Sequence, residues 1–148
     1  MNYSNIILKL AVSITVTLLN ISSVQAQSKD QMADHMHNWN IPTWTDTIKN
    51  PYAHITSAAD SGKVLYLRVC SVCHGNGGKG DGIAAAGLAT VPANHTSTMV
   101  QSHSDGTLFY EITNGHAPMP AYKAILSEKQ RWQLVCFIRT LKPKSTKK

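Results

Sequence analysis

The sequence predicts an all-α domain, and three observations predict it. Apolar residues recur at helical spacing in three stretches, about 58–70, 105–113 and 128–141. No stretch alternates apolar and polar residues as a half-buried strand does. Each helical stretch meets a stop: a Cys-x-x-Cys-His run after the first, Asn114-Gly115 after the second, Pro143 after the third. With 148 residues and 43% hydrophobic content, the chain is sized for one small packed domain, and it holds no internal repeat.

Residues 1–26 read as an export signal: a short leader up to Lys9, a mainly apolar stretch Leu10–Leu19, and small residues before a cut ahead of Gln27. Left uncut, Ile6–Val24 is 19 residues, long enough to anchor in a membrane. No Cys follows the cut, which argues against a bacterial lipid anchor. Residues 27–56 form a polar arm with Pro42 and Pro51. Its Trp39 and Trp44 are costly to leave in water, so part of the arm is expected to pack on the domain. His35-Met36-His37 within it could bind copper, but a solvated arm is the plainer reading.

The first helix is expected over Ala58–Cys70, with Ser57 and Asp60 as a capping box. Gly62 in its early turns costs helix stability, so it points to close approach of another helix. Gly75–Gly82 holds five glycines in eight residues and cannot be regular structure. A phosphate cradle fails, because no Gly-Lys-Ser/Thr follows and no strand precedes. Residues 84–103 read as irregular. The second helix is expected over Asp105–Thr113, capped by Ser104 and ended by Asn114-Gly115. A loop with Pro118 and Pro120 follows. The third helix starts after Ser127 and reaches about Leu141, with Arg139 and Lys142 suited to its C-terminal dipole. The domain thus spans 57–141, and 142–148 is a basic tail.

Cys70-Ser-Val-Cys73-His74 is the attachment signature of a c-type haem. Two thiols three positions apart can each add to a haem vinyl group. The His after them can turn its imidazole to the iron. A thioredoxin-like pair would open a helix after a strand in an α/β pattern, and none surrounds it. A closed zinc site would need two further ligands, usually as a second close pair. The third cysteine, Cys136, sits in an apolar helix pattern and reads as a buried, inert thiol. Export agrees with the motif, because c-type haems are attached outside the cytoplasm.

Formal net charge is +6, and removing residues 1–26 takes away only Lys9. Much of the excess lies in the tail at Lys142, Lys144, Lys147 and Lys148, which reads as a solvated end rather than a steering element. No interleaving of basic and aromatic residues marks a nucleic-acid surface.

In order, the pieces resemble a class I, mono-haem cytochrome c domain over roughly Ser57–Leu141. The resemblance rests on Gly62-x-x-Leu65-Tyr66-x-x-x-Cys70-x-x-Cys73-His74-Gly75 and Gly78-x-Gly80-Asp81-Gly82. It continues through Gly115-x-x-x-Met119-Pro120-x-Tyr122 and Trp132-x-x-Val135-x-x-Ile138-Arg139-x-Leu141. It implies the cytochrome c fold: three main helices and loops wrapped around one covalent haem c, with His74 and Met119 as axial ligands of the iron. A thioether is a soft ligand that raises the potential when set opposite His, and the prolines around Met119 would stiffen its strap. Met99 and His116 are the competing ligands. The resemblance also points to the Pro92 carbonyl as acceptor for the His74 ring N–H. Tyr110 is a candidate hydrogen-bond partner of the Met119 sulfur. Gly62 and Tyr66 are expected to cross the last helix near Leu134 and Phe137. His95 and His103 receive no role.

The function implied is electron transfer outside the cytoplasm, with the iron cycling between Fe(III) and Fe(II) and no bond-making on a substrate. The partners are redox proteins, met by a monomer. The first rival is a tethered cytochrome c subunit of a larger dehydrogenase or oxidase in a membrane complex, a reading favoured by the arm. The second is a peroxidase-type enzyme with an open iron.

Overall fold

The computed structural model describes residues 39–144. The expected export signal, the first part of the arm with His35 and His37, and the last residues of the tail lie outside the described residues. Among the described residues there are five α-helices: α1 Thr56–Val69, α2 Ser71–His74, α3 Thr98–Ser102, α4 Asp105–Asn114 and α5 Glu128–Thr140. Two 3-10 turns, Thr43–Thr47 and Ala85–Gly87, complete the regular structure. The described residues contain no strand, in keeping with the all-α expectation.

The scaffold is the crossing of α1 with α5. A Cβ at Gly62 would lie on the Gln133 backbone and 3.0 Å from the Phe137 Cβ, so only a hydrogen fits there. One turn on, Tyr66 is fully buried and its ring meets that of Phe137 at 4.9 Å. Leu134 and Val135 are buried completely beside them. Each such side chain stabilises the fold by roughly 1.5–3 kcal/mol relative to leaving it in water. The crossing is the one expected from Gly62 and Tyr66.

Helix α4 starts where its sequence says, with the Ser104 hydroxyl accepting from the Thr107 N–H at 3.0 Å. Helix α5 opens on a complete capping box between Ser127 and Gln130. Caps of this kind contribute about 1 kcal/mol each. Arg139 does more than suit a helix dipole. Its Nε donates to Asp105 Oδ1 at 2.7 Å, and its other nitrogens donate to the Gln101 and His103 carbonyls. This ties the end of α5 to the α3–α4 corner.

Two expectations need correction. Helix α1 is not capped by Ser57: it begins at Thr56 with Ile55 at the N-cap position and no side-chain cap. Turns run straight into it, Ile55 N–H to Tyr52 O at 3.0 Å and Ala58 N–H to Ile55 O at 2.9 Å, and leave Ser57 inside the first turn. Residues 84–103 are not wholly irregular. The Ala85–Gly87 turn and α3 lie within them, and Ser97 caps α3 through the Val100 N–H. A five-residue helix is too short to carry a hydrophobic period.

The later part of the arm packs on the helices. Thr45 is fully buried, and its hydroxyl lies 3.1 Å from that of Thr107 in the first turn of α4. Thr107 also donates to Asp46 at 3.1 Å. Trp44 meets Tyr110 edge-on at 5.8 Å while staying 54% exposed. Ile48 and Tyr52 pack against the core.

Candidate haem site

The Cys-x-x-Cys-His run sits on a break between helices. Cys70 ends α1, and α2 continues for a single turn that carries Cys73 and His74. A lone turn leaves its carbonyls without helical partners, and the glycine-rich loop supplies them. Gly75 N–H donates to Ser71 O (2.8 Å), Ala84 to Val72 O (2.9 Å), Gly82 to Cys73 O (3.1 Å) and Gly80 to His74 O (2.8 Å). Gly82 lies so close beneath α2 that a Cβ would stand 2.6 Å from the Cys73 carbonyl carbon. The loop is therefore a cradle for the motif.

Burial pushes the Cys70 thiol up to about 12, with the neighbouring Cys73 adding to the effect. A thiol so held stays protonated at neutral pH, opposite to the low-pKa cysteine of a thioredoxin-type pair.

His74 Nδ1 lies 2.9 Å from the Ala93 carbonyl. The expected acceptor was Pro92, so the assignment moves by one residue. Successive carbonyls of an extended strap point to opposite sides. Here that of Pro92 lies against Gly80, and the His95 N–H donates to Gly78 O at 2.6 Å to hold the strap in register. With its proton on Nδ1 toward Ala93, the imidazole carries its lone pair on Nε2, the form a metal takes.

His95, given no role from the sequence, is brought against this imidazole. The two rings stack at 4.2 Å between centroids and 18° between planes. His95 Nδ1 lies 2.8 Å from the Tyr66 hydroxyl. Burial, and after it the neighbouring His74, pushes His95 down to about 3, so it is neutral. No spacing rule marks a single loop histidine as a contact of the motif.

The loop after α4 is a braced strap. His116 and Met119 exchange both backbone hydrogen bonds, 3.0 and 2.8 Å. Beyond them Tyr122 N–H donates to Ile112 O and Lys123 N–H to Thr113 O, both at 3.1 Å. The Tyr122 hydroxyl donates to Val69 O at 2.9 Å, one residue before Cys70, and so joins the strap to the motif. Met119 is half-buried and packs against the core. Tyr110 does not make the expected bond to the Met119 sulfur among the described contacts; its ring meets Trp44 instead. Met99 sits on α3, which Gln101 fastens to the Ile138 carbonyl at 2.9 Å.

Cys136 is half-buried rather than buried. Its sulfur accepts from Asn50 Nδ2 at 3.3 Å, and burial raises its pKa, so the thiol form is favoured as expected of an inert cysteine.

The donor set fits a haem. Two thiols one turn apart adjoin an imidazole with its lone pair on Nε2. Leu65, Val69, Ala93, Phe109, Met119 and Leu141 are apolar, rest on the core and remain partly open, as side chains that a flat apolar macrocycle covers would be.

Comparison with known proteins agrees. The family described as "Cytochrome C oxidase, cbb3-type, subunit III" matches residues 57–138, more than half of the chain. Cytochrome c6 of Euglena gracilis is 33% identical over a 74-residue alignment that covers 47% of this chain and 76% of that protein. A chain of the reducing HAO-like protein complex of Kuenenia stuttgartiensis shares the fold, with a TM-score of 0.56 at 24% identity. That match covers 65% of this chain and 50% of the other. The chain belongs to the mono-haem c-type cytochrome domains and is an electron-transfer cytochrome with one covalent haem c, for which Cys70, Cys73 and His74 provide the attachment motif.

Proposed function

We propose that the protein is an extracytoplasmic one-electron carrier whose iron is held axially by His74 and Met119. The braced strap carries this reading. Reciprocal backbone bonds between His116 and Met119, with Tyr122 tied to Val69, hold a thioether on a stiff support joined to the haem-attachment helix. When bound, the haem supplies the Fe(III)/Fe(II) couple. The chain holds His74 in one tautomer through Ala93 and ties the Met119 strap to Val69. With His74 and Met119 both holding the iron, no position would be left for oxygen or peroxide, which argues against the peroxidase-type reading.

Placement outside the cytoplasm is supported by the leader-like residues 1–26 and by the attachment chemistry of the motif. Among the described residues no helix is long and apolar enough to cross a membrane. The tethered-subunit reading has its own support, because the structural relative is a chain of a protein complex. Redox contacts are small and transient in free carriers, so co-purification from native membranes under mild detergent separates the two: a stable partner favours the subunit.

The ligand assignment is tested with Met119→Ala. The reduced variant should bind carbon monoxide, its potential should fall, and His116→Ala should do neither. A Met119→Ala protein with the wild-type spectrum, beside a His116→Ala protein with an altered one, would establish bis-His ligation instead.

A further inference from the structure

We propose that His95 is a positioning residue for the iron: by stacking on His74 it sets the plane of the axial imidazole. The inference rests on His74 being an iron ligand. A histidine bound to a metal through Nε2 can still swing about the metal–nitrogen axis. One hydrogen bond, Nδ1 to Ala93 at 2.9 Å, restrains that swing at the ring edge. The near-parallel His95 ring, 4.2 Å away, restrains it across the ring face.

His95 can act as a fixed wall because it is itself held at two points. Its Nδ1 meets the Tyr66 hydroxyl at 2.8 Å, and its backbone N–H donates to Gly78 O at 2.6 Å. Tyr66 is fully buried against Phe137 in the α1–α5 crossing. A continuous line of contacts thus runs from the α1–α5 crossing, through Phe137, Tyr66 and His95, to the imidazole. Groups beyond a metal's ligands orient those ligands and tune the metal.

The plane of the axial imidazole, together with the orientation of the Met119 sulfur lone pair, decides which pyrrole rings of an oxidised haem share the unpaired electron. Proton NMR of the oxidised holoprotein reads a change in either in the order of the four haem methyl resonances, and the hyperfine-shifted Met119 signals show whether its orientation has changed. His95→Leu should change that order. His95→Phe keeps an aromatic face but loses the Tyr66 hydrogen bond, and should bring the order nearer to the wild type than His95→Leu does. Tyr66→Phe keeps the ring packed on Phe137, removes only the hydroxyl that anchors His95, and should shift the methyl resonances in the same sense as His95→Leu. An unchanged methyl order in His95→Leu, even with lowered stability, would overturn the proposal and leave His95 a packing residue. If His95→Leu does not take up haem, Tyr66→Phe carries the test alone, and an unchanged order there overturns it. Hyperfine-shifted signals of His74 and Met119 in each spectrum keep the two questions apart. Their absence in the wild type would overturn the ligand assignment and this inference with it, whereas their presence beside an unchanged order overturns this inference only.

Discussion

At the scale of single residues, the hydroxyl of Tyr122 carries a specific prediction. It donates to the Val69 carbonyl at 2.9 Å and is the side-chain link between the Met119 strap and the start of the haem motif. Tyr122→Phe removes that bond and leaves a half-buried carbonyl without its partner, at a cost of about 1–3 kcal/mol. The denaturant midpoint for loss of the Met–iron absorption band should drop, with global unfolding following it. A band that survives to the wild-type midpoint would show that the strap is held without Tyr122. The attachment motif was legible because it carries chemical identity: Cys70, Cys73 and His74 form a local string. Met119, the proposed second ligand, stands between prolines. The residues around them were legible only in part. Ala93 rather than Pro92 faces His74 because the facing of a carbonyl depends on strap register, which composition does not encode. His95 and the Tyr110–Trp44 contact depend on where distant segments meet in space.

At the scale of elements, the α1–α5 crossing and the docking of the arm make separate predictions. Gly62 touches the Gln133 backbone, so Gly62→Val must push α1 away from α5. Overpacking of this kind costs roughly 1–3 kcal/mol, and the thermal midpoint of the holoprotein should fall clearly below that of the wild type. An unchanged midpoint would remove the crossing from its place as main clamp. The arm is held in part by Asp46. Hydrogen bonds from Ser104 first, then Thr107, pull its carboxyl below the ordinary 3.8. A folded pKa below the unfolded one gives stability that is present above pH 3.8 and lost as pH falls through the lowered value. The carboxylate is exposed, so the effect is small. Wild type should melt slightly above Asp46→Asn at neutral pH, and the gap should close once the carboxyl protonates. A gap that persists at pH 2 would show that the carboxylate's charge plays no part. The helices with strong periods and good caps, α4 and α5, were readable almost to the residue. The start of α1 was not, because backbone turns from the arm replace a side-chain cap. Helix α3 was missed because one turn and a half has no period to read.

At the scale of the whole molecule, the fold is a clamp of two crossed helices with three loops hung from it: the glycine cradle under α2, the Pro92–His95 strap and the Met119 strap. Each loop places one thing near the motif, and each is fastened to a helix by named hydrogen bonds. The basic tail reads from the sequence as a solvated end rather than a steering element. Deleting Ser145–Lys148 is therefore expected to leave bimolecular electron-transfer rates nearly unchanged. If the lysines steer a partner, the deletion should instead lower the rate at low salt and flatten its salt dependence, because screening acts over about 10 Å at 0.1 M. The class of fold and the order of its parts were legible from periodicity and stop signals. The docking of the arm's second half was expected from its tryptophans, but Trp44 stays 54% exposed, and the packing is made instead by Thr45, Ile48 and Tyr52, which no periodic pattern marks.

The account depends most directly on one thing, a Met119 sulfur bound to the iron opposite His74. The measurement is the far-red absorption of the oxidised, full-length holoprotein at neutral pH. The account predicts a weak sulfur-to-iron charge-transfer band that is abolished in Met119→Ala. A wild-type spectrum with no such band and high-spin features would contradict it, because the iron would then be open and the protein placed to do chemistry rather than to carry an electron.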